Sequence, residues 1–345
     1  MDRSSAVCII GSGKCAGTCT AWLMSRGYQV RMWGRDARKM REIAKNGLNA
    51  EGVVSGQFFP AAFESLSYAV KGAKFIVVQT TAPGHRPAAE ALKGLLEQGQ
   101  VVLIFNGNWG AYEFYDVLGK EAKEKDVIIA ETAAQIFMSD YHDGVYDLKR
   151  IKNEAEAAAA PAHNTARLME EIGEIFPQLK PGENVISTTI NSSNPVLHTP
   201  ITLFNLARAD NGEDYMFYLD AASPLVVKAA EKLDRERCLV AEAVGVRPIP
   251  VLDIINSFWD DKYDDLRESL RKHYPGSKGP KTLKFRYIEE DLPFGMAAVA
   301  VLGKLCGVQT PCLDAMLAAY QWVFDTDFRE LAPRFDQEKL KEICR

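Results

Sequence analysis

No stretch of this 345-residue chain approaches the roughly 20 apolar residues that a membrane helix needs. Basic runs are missing too, and the net charge is −5, so there is no electrostatic reason to expect nucleic acid as a partner. A secretory leader is not evident: Met1–Ser5 is a short polar lead, and the apolar stretch Ala6–Ile10 is too brief for a signal core and runs into glycines. The seven cysteines are odd in number and contain no C-x-x-C pair, which speaks against a disulfide framework and for free thiols in a reducing, cytoplasmic setting. The five histidines occur in neither an H-E-x-x-H nor an H-x-x-E-H pattern, so no metal site is expected.

What is present is ordinary globular material. Apolar residues make up 47% of the chain and charged residues 25%, and the length suits two domains. The first part alternates short apolar runs with amphipathic segments. Ala6–Ile10, Gln29–Trp33, Phe75–Gln79, Val101–Phe105 and Val127–Ala130 read as strands. Between them, Lys14–Arg26, Asp36–Lys45 and Pro87–Glu97 read as helices, with Asp36 as a candidate N-cap. This alternation predicts right-handed crossovers and a doubly wound parallel sheet. The Ala-rich run Glu154–Ala160 is low in complexity but short. After about residue 185 strands become rare and helical spacing dominates, in Ala221–Val244, Phe294–Leu305 and Cys312–Phe324. The predicted class is α/β plus all-α: a doubly wound parallel-sheet domain over residues 1–185 and a helical domain over 186–345. The apolar helices of the second part fit a core, and a homodimer surface is the other use for them.

The first strand runs directly into Gly11-Ser12-Gly13-Lys14-Cys15-Ala16, a G-x-G-x-x-A pattern. The first glycine permits a tight turn, the second lets a pyrophosphate approach the backbone, and the small third residue lets helix and sheet pack closely. Free amides at the helix N-terminus meet the phosphates. A phosphate-binding P-loop does not fit, because Cys15 stands where Ser or Thr is needed. The second strand ends in Trp33-Gly34-Arg35-Asp36-Ala37-Arg38. A guanidinium here matches the 2′-phosphate of NADP, so Arg35 and Arg38 favour NADP, while Asp36 on a ribose hydroxyl would favour NAD. Thr80, Thr81 and Pro83 follow another strand and are placed at the cofactor crevice.

Two later segments carry the chemistry. One is Asn194-Pro195-Val196-Leu197-His198, whose histidine is set among prolines and polar residues. The other is Arg286-Tyr287-Ile288-Glu289-Glu290-Asp291-Leu292-Pro293-Phe294-Gly295, followed by Gly307-Val308-Gln309-Thr310-Pro311 and Asp314. Together N-P-x-x-H, R-Y-x-x-E-D-x-P-x-G and G-V-x-T-P-x-x-D resemble the octopine/nopaline (opine) dehydrogenase family. The likeness spans nearly the whole chain in the right order. It implies a Rossmann domain followed by a helical substrate-binding one, with His198 as acid/base, Asp291 orienting it and Arg286 binding substrate carboxylate; Asn194, in the same motif as His198, is taken as a second substrate-binding residue. It also implies reductive joining of an amino acid to a 2-oxo acid. The stretch Glu131–Met138 cannot be matched to a particular relative, which leaves the substrate pair open.

Other readings remain at this point. Glycerol-3-phosphate dehydrogenases and ketopantoate reductases share the Rossmann start and use a catalytic lysine, for which Lys228 and Lys232 would have to serve. A cofactor-binding sensor without turnover is the reading from another class.

Overall fold

The computed structural model describes residues 6–345; the polar lead Met1–Ser5 lies outside them. Among the described residues twelve strands are formed: β1 (Ala6–Ile10), β2 (Val30–Trp33), β3 (Leu48–Gly52), β4 (Gly56–Phe58), β5 (Ala61–Phe63), β6 (Ala73–Val78), β7 (Val101–Ile104), β8 (Ile128–Thr132), β9 (Phe137–His142), β10 (Val145–Ile151), β11 (Ala155–Ala160) and β12 (Leu179–Pro181). The main sheet runs in the order β12-β11-β8-β7-β6-β1-β2-β5. Its pairs are parallel except β11 against β8. The central strands β1, β6 and β7 are almost wholly apolar and buried, as a sheet covered on both faces requires. Strand order reverses around β1, which is flanked by β2 and β6. A doubly wound sheet binds ligands in the crevice at the carboxyl ends of the strands where this reversal occurs.

The chain divides into two compact units. The first extends to Thr188 and takes in Gln337–Arg345; the second is Thr189–Asp336. The second-domain range expected from sequence, 186–345, therefore differs at its end. The terminal helix Gln337–Ile343 returns to the first unit, where the Tyr115 hydroxyl donates to Glu342 at 2.9 Å and Lys339 pairs with Asp116.

A four-stranded sheet, β4-β3-β10-β9, has no counterpart in the sequence reading. It packs on the helix Lys14–Ser25. A Cβ on Gly17 would lie 2.1 Å from the Tyr146 ring, Thr18 and Ser139 hydroxyls meet at 2.6 Å, and Trp22 meets Phe137 edge-on at 5.2 Å.

The second unit is built on the helix Pro224–Ala243. It begins with proline at its first position, and the Ser223 side chain accepts from the Val226 amide at 3.3 Å. Its buried side carries charges as well as apolar groups. Arg237 is bound to Asp234 at 2.7 Å and to the Asn191 side chain at 2.8 Å. Both oxygens of Glu236 accept from Cys312 and Leu313 amides at 2.8 Å, capping the helix Pro311–Phe324. All seven cysteines are unbridged, and no helix among the described residues is long and apolar enough to cross a membrane.

Candidate active site

In the first unit, β1 passes into Gly11, whose φ of +136° suits glycine. A Cβ there would lie 2.6 Å from the Gln79 carbonyl, so the turn closes against the end of β6. Gly13 has open space beside it, and the helix begins at Lys14. Ser12, Gly13 and Lys14 lie at the surface of the turn, whereas Ala16 is fully buried against the sheet. An exposed helix start, beside a glycine that blocks nothing, fits a dinucleotide pyrophosphate. Thr80 is half-buried at the end of β6, with Thr81 and Pro83 exposed beyond it.

Arg35, Asp36 and Arg38 are exposed at the end of β2. Asp36 plays a structural part, since its carboxylate caps the helix Ala37–Asn46 by accepting the Lys39 amide at 3.1 Å. That hydrogen bond holds its carboxyl below the usual range. Lys39 folds over the Tyr141 ring at 5.1 Å, so it serves the small sheet as well as the helix surface.

The loop from β7 to the helix Gly110–Glu124 was not singled out by sequence. Asn106, Asn108 and Trp109 all hold positive φ, at 52°, 42° and 68°. Such backbone is strained for residues other than glycine and collects at functional sites. Buried groups at the end of β8 brace it. The Asn106 amide donates to the Thr132 hydroxyl at 3.0 Å, and the Ala111 amide donates to Glu131 at 2.8 Å. Glu131 also accepts from the Thr188 hydroxyl at 2.9 Å, and it fills the space beside Gly107 where a Cβ would clash at 2.3 Å. Glu131 and Thr132 thus shape the sheet's carboxyl end from below, and residues 137–151 form the hairpin against the Lys14–Ser25 helix.

In the second unit the two late motifs meet. His198 and Asn194 lie four residues apart on the helix Ser193–Leu203, hence on one face. Asp291 opens a π-helical turn, Asp291–Ala297. A Cβ on Gly295 of that turn would lie 2.3 Å from Cβ of Pro195, so the glycine of one motif is what lets the proline of the other approach. The contact brings His198 Nδ1 to Asp291 at 2.7 Å. Asp291 is fully buried; burial opposes its ionisation, but Arg286 and His198 outweigh that and hold its carboxyl below the usual range. The guanidinium of Arg286 stands 3.7 Å from Asp291 and 3.3 Å from Glu290, with a third of its side chain exposed. Tyr287 stacks on the imidazole at 3.9 Å between ring centres, and Phe217 meets it edge-on at 5.7 Å. The Tyr218 hydroxyl lies 3.0 Å from Nε2. Tyr218, Phe217 and Glu290 carried no role in the sequence reading; Glu290 was inside the quoted motif, but Tyr218 sits 20 residues from His198 in a segment with no motif. The carboxylate can only accept, so Nδ1 carries a proton and Nε2 is the ring's basic atom. This is an imidazole fixed in one tautomer beside a cation that is open to solvent, an arrangement suited to proton transfer on an anionic substrate.

The remaining histidines are not equivalent to it. His85 and His273 are buried away from this cluster's motifs, His273 being stacked against Trp259 at 5.8 Å. Lys228 and Lys232, the lysines a rival chemistry would need, are both exposed on the outer side of their helix.

Comparison with known proteins follows the same division. Residues 181–323 match the family model described as NAD/NADP octopine/nopaline dehydrogenase, alpha-helical domain. Residues 7–144 match ketopantoate reductase PanE/ApbA, a match confined to the dinucleotide-binding part. An opine dehydrogenase of Arthrobacter sp. (strain 1C) is 31% identical over 337 residues, covering 96% of this chain and 94% of the relative. Among solved structures, octopine dehydrogenase in complex with NADH and agmatine superposes with a TM-score of 0.76 at 16% identity, covering 99% of this chain and 94% of the other. Yersinopine dehydrogenase with NADP+ bound gives 0.76 at 14% identity, covering 99% and 96%. At these identities the structural matches speak for the fold alone.

Proposed function

We infer, from the premise that this chain belongs to the opine dehydrogenase family and is an NAD(P)-dependent oxidoreductase acting on the CH–NH group of its donors, that it joins an amino acid to a 2-oxo acid and reduces the product imine. The observation that carries the residue assignment is the His198–Asp291 pair at 2.7 Å with Arg286 beside it.

The amine adds to the carbonyl, water leaves, and the imine is reduced to a secondary-amine dicarboxylate. NAD(P)H supplies the hydride when bound. His198 takes one ammonium proton at Nε2 as the amine adds, a second amine proton passes to the carbonyl oxygen to make the hydroxyl, and His198 returns its proton as that hydroxyl leaves as water. Asp291 holds the ring in the tautomer that leaves Nε2 basic and stabilises the imidazolium when it forms. Arg286 is the carboxylate clamp, because it is the cation of the cluster with solvent access while Asp291 is sealed beneath it. Asn194, half-buried on the face that carries His198, would contribute a polar contact to the same substrate. Gly11, Ser12, Gly13, Lys14 and Ala16 would cradle the pyrophosphate, with Thr80, Thr81 and Pro83 along the crevice. NADP is the preferred cofactor: one carboxylate oxygen of Asp36 is engaged in capping its helix, while Arg35 and Arg38 are exposed cations at the same strand end.

The test is a panel of amino acids combined with pyruvate and other 2-oxo acids, with NADPH and NADH consumption followed for each pair. Turnover that requires both partners is expected. Turnover with hydroxyacids or glycerol phosphate instead would reassign the enzyme, and cofactor binding without consumption would mark a sensor. On the active pair, His198→Ala should lower kcat by roughly 10²–10⁴-fold with cofactor affinity retained.

A further inference from the structure

The imidazole of His198 has two ring nitrogens, and both are engaged inside the protein. Nδ1 faces Asp291 at 2.7 Å and Nε2 faces the Tyr218 hydroxyl at 3.0 Å. Nε2 has a single lone pair in the ring plane, and the phenol lies on it. One face of the ring is covered by Tyr287 at 3.9 Å, and Phe217 meets it edge-on. A substrate proton has no direct line to the basic nitrogen while the phenol keeps its place.

The phenol is held there. Tyr218 lies on the π-helical turn Phe217–Ala221, a rare backbone form that recurs at functional sites. Three hydrogen bonds pin this segment, one to a loop and two from the helix Leu266–His273: the Phe217 amide donates to the Ser277 carbonyl at 2.7 Å, Arg271 donates to the Leu219 carbonyl at 2.7 Å, and Arg267 donates to the Ala222 carbonyl at 3.1 Å. The ring packs on Tyr274 at 5.3 Å and Phe217 at 5.0 Å, and Tyr274 is itself held by the Trp259 indole at 3.2 Å.

We propose that substrate exchanges its proton with His198 through the Tyr218 oxygen, so that the acid–base unit is an Asp291–His198–Tyr218 relay. The proposal rests on the reading of His198 as acid/base given above. As the amine adds, the phenol oxygen accepts the ammonium proton while its own proton passes to Nε2. As the hydroxyl leaves, the phenol gives its proton to that oxygen and takes back the one on Nε2. Each step returns the phenol unchanged, and the net proton movement is between substrate and imidazole. The titratable and charged groups around the phenol are His198, Asp291, Arg286, Tyr287 and Tyr274. Burial, reinforced by the neighbouring tyrosines and Asp291 and only partly offset by Arg286, drives the phenol's ionisation far above its usual range. This environment favours the neutral phenol, which gives up its proton as it gains another.

The experiment compares Tyr218→Phe, His198→Asn and the double variant on the active substrate pair, with NAD(P)H binding measured separately as a check on folding. Tyr218→Phe should lower kcat by about 10²-fold, in the range of lost acid–base help, move the pH dependence of kcat and leave cofactor affinity unchanged. The double variant should be no slower than His198→Asn, since members of one relay are not additive. Tyr218→Phe with near-normal kcat and an unmoved pH profile would overturn the relay and show that the phenol is displaced by substrate. Should the variant fail to fold, a fluorinated tyrosine incorporated at position 218 keeps the shape while lowering the phenol pKa. The relay then requires a shifted pH profile, and an unshifted one overturns it. Normal turnover by His198→Asn would instead sink the functional reading itself, which separates the two failures.

Discussion

At the scale of single residues, the site is a problem of charge placement. Asp291 is sealed, and its ionised form is tolerated because Arg286 and His198 stand beside it. Arg286 faces a second acid, Glu290, whose side chain is also almost fully buried. A planar guanidinium can face both acids along one edge and present its other edge to a substrate carboxylate. An ammonium cannot do this, since it is a point charge on a flexible stem. Arg286→Lys should therefore raise KM for the carboxylated substrates by about 10–100-fold, the worth of one charge-assisted hydrogen bond, with a smaller effect on kcat. Steady-state kinetics on the lysine variant give the answer, and an unchanged KM would remove Arg286 as the clamp.

At the scale of elements, what aligns His198 with Asp291 is the packing of two turns. Pro195 fits where Gly295 has no side chain, at a distance that leaves no room for a methyl group. Gly295→Ala should cost about 1–3 kcal/mol through overpacking, and it should lower kcat because the helix and the π-helical turn that carry the dyad are pushed apart. Thermal melting and turnover of the alanine variant test this together; loss of neither would mean the contact gives way without moving the dyad. The same elements show what sequence can reveal. β1, the glycine turn and the helix after it were legible because a buried parallel strand, a tight turn and a helix start each have a local signature. Arg286, Asp291 and His198 were legible through spaced motifs whose glycine and proline are explained by this packing. The hairpin of β9 and β10 was not legible, because Tyr146 is selected by Gly17, far away in the chain. β11 was hidden for another reason: alanine has little strand preference, and Ala155–Ala160 is a strand because small side chains suit its buried place beside β8. Asp234, Glu236 and Arg237 break the apolar pattern of their helix, and partners distant in the chain account for them: the Val251 amide for Asp234, the Cys312 and Leu313 amides for Glu236 and the Asn191 side chain for Arg237. Tyr218 belongs with these: its meaning is a distance to Nε2.

At the scale of the whole molecule, groups in the first unit tie folding to pH and to cofactor. His85 is completely buried, and that burial pushes its imidazole down to about 4, against a smaller pull from the Thr80 backbone. The unfolded chain binds a proton at this residue near pH 6.5, whereas the folded chain does so only near pH 4. Its contribution is therefore complete above pH 6.5 and is lost as the pH falls between those values, by roughly 3 kcal/mol in all. Denaturant unfolding of the wild type and His85→Gln should show the difference between them shrinking across that window in the variant's favour; parallel curves would clear His85 of the effect. Cofactor acts in the opposite sense, since a ligand that binds only the folded state stabilises it by about 2.7 kcal/mol at a hundred times its Kd. If Arg35 grips a 2′-phosphate, Arg35→Ala weakens NADPH by on the order of tenfold or more, the worth of a charge-assisted hydrogen bond, and each tenfold removes about 1.4 kcal/mol of that stabilisation. NADH has no such phosphate and should protect the variant as well as it protects the wild type. Asp36→Ala is the matching control: it removes a helix cap, so it should lower the melting temperature with either cofactor and without one. Melting curves of the three proteins at matched concentrations of each cofactor decide the matter without any turnover. An equal loss of protection by NADPH and NADH in Arg35→Ala would end the preference for NADP.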